Sequence, residues 1–238
     1  PMTRRKSSTL WPCLATLLCA SVGAAQEAQR VGVEEHLGDV IPVETFSFID
    51  EQGEPIALKE LFDRPVVLTL VYFRCPGICT PLLQELVRNV DNCDLTPGED
   101  YRLLTISFDP TETPELAELK KANMLGALEK RKDTSPDAWR FLTGEMESIH
   151  ALTDSIGFRF KRAGERLFIH PNVLVALAPD GTIIRYLYGP RFLPFDVGMA
   201  LTEAAKGTPG LSIRKVLTYC FDYDPESRRY TIRFFRLM

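Results

Sequence analysis

Histidine is scarce in this chain: three residues in 238, at His36, His150 and His170. Any site that needs an imidazole therefore has few candidates. Positive charge is not in excess either. The formal net charge is −4, and no nucleic-acid footprint is visible. Long apolar runs are lacking, and the one near the N-terminus is too short for a comfortable membrane-spanning helix. Internal repeats and low-complexity segments are missing. Cysteine is too sparse for a disulfide scaffold, with six in the chain and four beyond residue 25.

What is present is ordinary globular composition, 45% hydrophobic and 25% charged, enough for one domain with a real core. The N-terminus reads as a signal peptide. Arg4-Arg5-Lys6 is a basic region, Leu10–Ala20 a short apolar one, and Val22–Ala25 supplies small residues for cleavage near Ala25. Cys19 follows Leu18 rather than a small residue, which argues against a lipoprotein cleavage site. Pro1 precedes Met2, which suggests Met2 as the true start. Removing residues 1–25 takes away three positive charges and leaves about −7. Cys13 and Cys19 go with them, leaving Cys75, Cys79, Cys93 and Cys220 in an exported compartment that permits disulfides.

The most informative stretch is Cys75-Pro-Gly-Ile-Cys79. It follows the apolar run Pro65–Phe73, which reads as a fully buried strand. Thr80–Val90 reads as a helix. The pair thus sits where a strand hands over to a helix, and both sulfurs can reach one point near the helix N-terminus. The partial positive charge there favours a thiolate. A structural disulfide or two buried small residues are the plain alternatives. Pro76 and Gly77 in a loop at a strand end favour redox chemistry or a thiophilic metal.

The remaining chain alternates. Residues 26–44 read as a polar arm. Thr45–Asp50 alternates like a strand, and Ile56–Phe62 reads as a short helix. Tyr101–Phe108 is a second buried strand, stopped by Asp109-Pro110. Pro114 to about Lys132 is an amphipathic helix with proline at its start. Ala138–Thr143 is a strand, and Met146–Ile156 a helix closed by Gly157. Asn172–Ala178, the turn Pro179-Asp-Gly181 and Thr182–Tyr188 form a hairpin. Asp196–Lys206 is the last helix. This order predicts an α/β three-layer sandwich of thioredoxin-like type with a mixed central sheet. The core domain spans 45–207, and residues 208–238 form a C-terminal extension.

The spacing of the cysteines decides between chemistries. A thioredoxin-type reductase usually has two residues between them, and here there are three. The wider loop lets both thiolates bind one metal. Two soft thiolates plus an imidazole suit copper in both oxidation states. His36 lies in the polar arm and reads as solvated. His150 lies inside a helix and reads as a surface or core residue. His170, in Phe168-Ile-His-Pro-Asn172, is held extended by the following proline at the break before a strand, and is the favoured third ligand.

These residues carry a family resemblance. Tyr72-Phe-Arg-Cys-Pro-Gly-Ile-Cys79, Ser107-Phe-Asp-Pro-Thr-Glu-Thr-Pro114, Trp139-Arg-Phe-Leu-Thr-Gly144 and His170 resemble the motifs of the Sco/SenC copper proteins over roughly Phe46 to Lys206. The resemblance implies a metallochaperone that binds one Cu(I) or Cu(II) through Cys75, Cys79 and His170. It also implies a partner, the copper-site subunit of cytochrome c oxidase, whose dinuclear centre it helps assemble. Other copper carriers or thiol reductases are further expected partners. Asp109 matches an acidic residue near the site. An Asp before Pro is often only a turn former, but strand carboxyl ends line ligand crevices in α/β sheets. The chain departs from the family at Gly77 and Ile78, where many members carry an acid, and at Thr80, where many have proline. The tail with Tyr219-Cys-Phe-Asp-Tyr-Asp-Pro225 resembles one branch in which a hydrophobic anchor follows, here beyond Met238. The implied location is periplasmic or otherwise extracytoplasmic, close to a membrane.

Other readings stand beside this one. The same pair, read as a dithiol, suits a thiol–disulfide oxidoreductase that keeps the oxidase cysteines reduced. A redox or copper sensor would need a site buried unless oxidised. Structural zinc would need four closed ligands, drawing on Cys93 or Cys220. Those two read more simply as bystanders or as a structural pair.

Overall fold

Strand β1 (Val66–Val71) is buried on both sides along its whole length, as a β-branched and leucine-rich run at the centre of a covered sheet must be. It is followed by α1 (Cys79–Asn92), β2 (Arg102–Ser107), α2 (Pro114–Gly126), β3 (Trp139–Leu142) and α3 (Met146–Ser155). Then come β4 (Val173–Leu177), β5 (Ile183–Tyr188) and α4 (Pro194–Ala205). The computed structural model describes residues 31–164, 167–210, 221–224 and 229–232, the last two stretches as backbone alone. The expected signal peptide, Glu165 and Cys220 lie outside the described residues.

The five strands form one mixed sheet in the order β5-β4-β1-β2-β3. β1, β2 and β3 run parallel, with Val66 opposite Arg102 and Leu103 opposite Trp139. The two crossovers β1-α1-β2 and β2-α2-β3 step the same way across the sheet. Right-handed connections then lay both helices on one face, where α1 also packs against α4. β4 is antiparallel to β1 and to β5, with Leu174 opposite Thr69 and Val173 opposite Tyr188. The turn at Pro179–Gly181 is too tight for a parallel return. This mixed α/β sheet, with four α-helices among the described residues, is the thioredoxin-like fold. One buried polar contact fixes neighbouring strands: the Trp139 indole N–H donates to Thr105 Oγ1 at 2.9 Å.

Three elements differ from the sequence reading. Residues 55–57 form a strand paired with Ser47–Ile49, and the helical turn is only the 3-10 segment Leu58–Leu61. α2 stops at Gly126 instead of continuing toward Lys132. The Asp91 carboxylate accepts from the backbone N–H groups of Glu129, Lys130 and Arg131, so that stretch bends around α1. The N-terminal segment is no free arm from residue 31 onward. Ile41 and Val43 are fully buried in the main core, and Gly32–Val33 pairs with Phe158–Arg159. Gly157 makes that approach possible. Its φ is +65°, and a Cβ there would lie 1.8 Å from the Glu34 carbonyl oxygen. His36 is accordingly half-buried, with Nδ1 3.0 Å from the Ser155 carbonyl oxygen. In the tail, the backbone of Phe221–Asp224 pairs antiparallel with Arg229–Ile232.

Candidate metal centre

The carboxyl ends of the parallel strands and the start of β4 meet at one sheet edge. Cys75 lies in the loop after β1, Asp109 two residues past β2, and His170 three residues before β4. The antiparallel course of β4 brings His170 to the edge where the cysteines already are. Cys79 is the first residue of α1 and is buried; Cys75 and His170 are half-buried. One ligand atom from each of the three lies within 4.8 Å of the other two.

The hydrogen bonds assign the tautomer of His170. Its Nδ1 is 3.0 Å from the Pro171 carbonyl oxygen, which can only accept, so Nδ1 carries the hydrogen. Nε2 then holds the lone pair, 3.3 Å from Cys79 Sγ. Burial pushes the imidazole below its usual range, only partly offset by the Pro171 contact. A neutral ring with a free Nε2 is the form that ligates metals. The rings of Phe108, Tyr72 and Phe158 surround it, with centroids at 5.1, 5.9 and 6.4 Å.

The two thiols are not equivalent. Burial raises Cys75, but hydrogen bonds from the Tyr72 hydroxyl, from Cys79 and from the Gly77 N–H outweigh it, and the net direction is down. Gly77 N lies 3.3 Å from Cys75 Sγ. Cys79 goes strongly up, chiefly by burial, with the charges at Cys75 and Glu112 adding to it. The helix N-terminus does not make a thiolate of Cys79, because its sulfur is shut away from water. Burial and the adjacent Cys75 push the Tyr72 phenol up to about 12, so it stays a donor.

Asp109 is buried, and its Oδ1 accepts from the N–H and the hydroxyl of Thr111 at 3.0 and 2.8 Å. The structure places it at the edge shared with Cys75, as a turn former outside the ligand cluster. His150 is exposed and stacks on Phe160. Cys93 caps the far end of α1, which rises about 1.5 Å per residue over its 14 residues. That distance excludes Cys93 from a closed zinc site with Cys79.

Two residues near the site escape the sequence reading. Tyr72 hides in the apolar run of β1. Glu112 lies inside the quoted motif Ser107–Pro114, but a polar loop acid gives no sign that it will be buried. Its Oε2 accepts from the Phe73 N–H and the Ser107 hydroxyl, both at 2.6 Å, and its Oε1 from the Arg74 N–H at 2.7 Å.

Comparison with known proteins fits this geometry. The SCO1/SenC family model matches residues 37–191. The chain belongs to the SCO1/SenC family. The SCO1 protein homolog of Bacillus subtilis (strain 168) is 26% identical over 157 residues, covering 65% of this chain and 77% of that one. A solved structure from Aquifex aeolicus VF5 superposes with a TM-score of 0.63 at 29% identity, over 71% of this chain and 95% of that one. Arabidopsis thaliana ScoI, solved with copper bound, has the same fold. Its TM-score is 0.54 at 22% identity, over 68% and 96% of the two chains.

Proposed function

We propose that this SCO1/SenC protein is an extracytoplasmic copper chaperone that helps assemble the dinuclear copper centre of cytochrome c oxidase. The observation that carries the reading is the convergence of Cys75 Sγ, Cys79 Sγ and His170 Nε2 at one strand edge. The donor set fits the metal. Two sulfurs suit Cu(I), and a neutral imidazole adds the nitrogen that Cu(II) favours. Copper bound in Arabidopsis ScoI supports the same cargo here. The basic and apolar leader Arg4–Ala20 supports export, and no described helix is long and apolar enough to cross a membrane. The proposed copper-binding domain takes in the expected 45–207 together with the packed segment from residue 31, and residues 208–238 are its proposed extension.

Cys75 is the half-buried sulfur of the pair and the more readily ionised, its thiol lying below the usual range. Cys79 would give up its proton to solvent on metal binding, leaving the Nε2 lone pair of His170, 3.3 Å from its sulfur, free to ligate. Anaerobic titration of reduced protein with Cu(I), and of the same protein with Cu(II), tests the reading. The expected result is one ion per chain in either state, with a thiolate-to-Cu(II) charge-transfer band. Reduced protein that takes up no copper ends it. His170→Ala is expected to weaken Cu(II) more than Cu(I). Loaded protein is then expected to pass copper to an oxidase copper-site domain.

The inequality of the two thiols favours a second activity of the same pair, reduction of a partner disulfide. Cys75 thiolate attacks one partner sulfur and releases the other as a thiolate. Cys79, deprotonated, then attacks Cys75 Sγ in the mixed disulfide and frees the reduced partner. The Cys75–Cys79 disulfide that remains must be re-reduced by an exported dithiol. Cys79→Ser is expected to trap the mixed disulfide, and Cys75→Ser to trap none. Equal trapping by both variants, or by neither, removes this reading.

A further inference from the structure

Glu112 is a buried carboxylate with three hydrogen-bond donors and no ion pair among the described residues. Each of its two oxygens meets a backbone N–H, which can only donate, and one also meets the Ser107 hydroxyl, a set of donors that suits a carboxylate. Two of the donors are the backbone N–H groups of Phe73 and Arg74, the last residues before Cys75. The third is Ser107 at the end of β2, whose hydroxyl oxygen accepts from the Asp109 N–H at 3.1 Å. The turn Asp109–Glu112, closed by the Glu112 N–H on the Asp109 carbonyl at 3.1 Å, aims the side chain back under the cysteine loop.

We propose that Glu112 is a positioning residue of the metal centre, clamping the backbone that delivers Cys75 to the end of β2 and supplying a fixed negative charge behind the sulfurs. The inference rests on the copper reading for its charge effect, and on the metal-free protein for its clamp. The clamp ties the loop after β1, which carries Cys75, to the end of the neighbouring strand. The charge favours the more positive ion, Cu(II), over Cu(I). The Arg74 guanidinium at the same turn bonds the Thr111 carbonyl oxygen at 3.3 Å and makes no ion pair with Glu112 among the described residues.

Glu112→Gln tests both halves. The amide keeps the volume, removes the charge and turns an N–H donor toward one of the backbone N–H groups. In metal-free protein, amide hydrogen exchange at Phe73 and Arg74 is expected to quicken by about tenfold or more. In loaded protein, Cu(II) affinity is expected to fall about 10–100-fold, with a changed charge-transfer band and a Cu(II)/Cu(I) potential moved positive. Glu112→Asp, which keeps the charge, is expected to recover the potential more than the affinity. If Glu112→Gln fails to fold, Ser107→Ala removes one donor and keeps the charge, so it is read by amide exchange alone: faster exchange at Phe73 and Arg74 supports the clamp, and wild-type exchange overturns it. Wild-type amide exchange together with a wild-type spectrum and potential overturns the proposal, as does lower thermal stability with spectrum and potential unchanged. If wild-type protein itself takes up no copper, the copper reading fails and the exchange rates alone decide the clamp.

Discussion

Glu51 and Glu112 are both buried carboxylates beside the same sheet, and their surroundings are opposite. Glu51 meets Lys121 Nζ from α2 at 2.7 Å and Arg140 Nη2 from β3 at 2.9 Å. It also accepts from the Phe141 N–H at 2.9 Å. Burial pushes Glu51 up, but Arg140 and Lys121 overcome it and the carboxyl lies below its usual range. Glu112 has backbone and hydroxyl donors only, and burial wins: its carboxyl lies above the usual range. In the first region the charge is spent on joining the N-terminal hairpin, α2 and β3. In the second it stays uncancelled beside the thiols. A buried acid matched by cations does structural work, and one matched by dipoles alone can act on a site.

The largest expected effect breaks the first region. Glu51→Ala strands Lys121 as a buried charge, leaves Arg140 to Asp50 alone among buried acids, and is expected to cost about 3–5 kcal/mol in urea unfolding. The copper charge-transfer band should be unchanged. A spectral change larger than that of Glu112→Gln would undo the contrast. Glu112→Ala leaves the Phe73 and Arg74 N–H groups without partners. It is expected to cost about 1–3 kcal/mol by the same unfolding measurement, with the spectrum altered.

Acid sharpens the comparison. The folded-state pKa of Glu51 lies below the ordinary 4.5. Between the two values the unfolded chain binds more protons, so its contribution is full above about pH 4.5 and is lost as pH falls through the folded value. Glu112 has the opposite sign. Its folded carboxyl protonates first as pH drops, so stability is gained down to about 4.5 and lost on raising pH through the folded value. Unfolding series from pH 7 to 3 are expected to show a flatter acid limb in Glu51→Gln and a steeper one in Glu112→Gln. The smallest effect is expected at Asp109→Asn, which keeps an oxygen for Thr111. Stability should move by less than about 0.5 kcal/mol, and copper retention by less than in Glu112→Gln.

The sequence announces the scaffold of the site well, because each ligand sits beside a strong local signal. Cys75 and Cys79 follow an apolar run that can only be a covered strand. His170 precedes a proline, and the tight Pro179–Gly181 turn forces its strand to run antiparallel. Less legible is whatever depends on distant partners. Ile56 and Ala57 have helix-compatible neighbours and become a strand only because Ser47–Ile49 lies alongside. Lys130 continues a helical pattern, but Asp91, far back in the chain, captures its N–H. His36 reads as solvated until Gly157 lets the N-terminal segment pass over α3. Glu112 is the extreme case. Its three donors come from two strand ends, and nothing near it in the chain predicts its burial.

The separation of 91 positions between Cys79 and His170 gives the site a mechanical meaning. An ion held by both residues is a removable cross-link that closes a long loop holding β2, β3, α2, α3 and the descent into β4. The entropy of closing such a loop grows only slowly with its length, so one ion restrains more than a third of the described chain at modest cost. An ion held by the folded chain and not by the unfolded one would therefore raise the stability of the domain on loading and give that stability up on release.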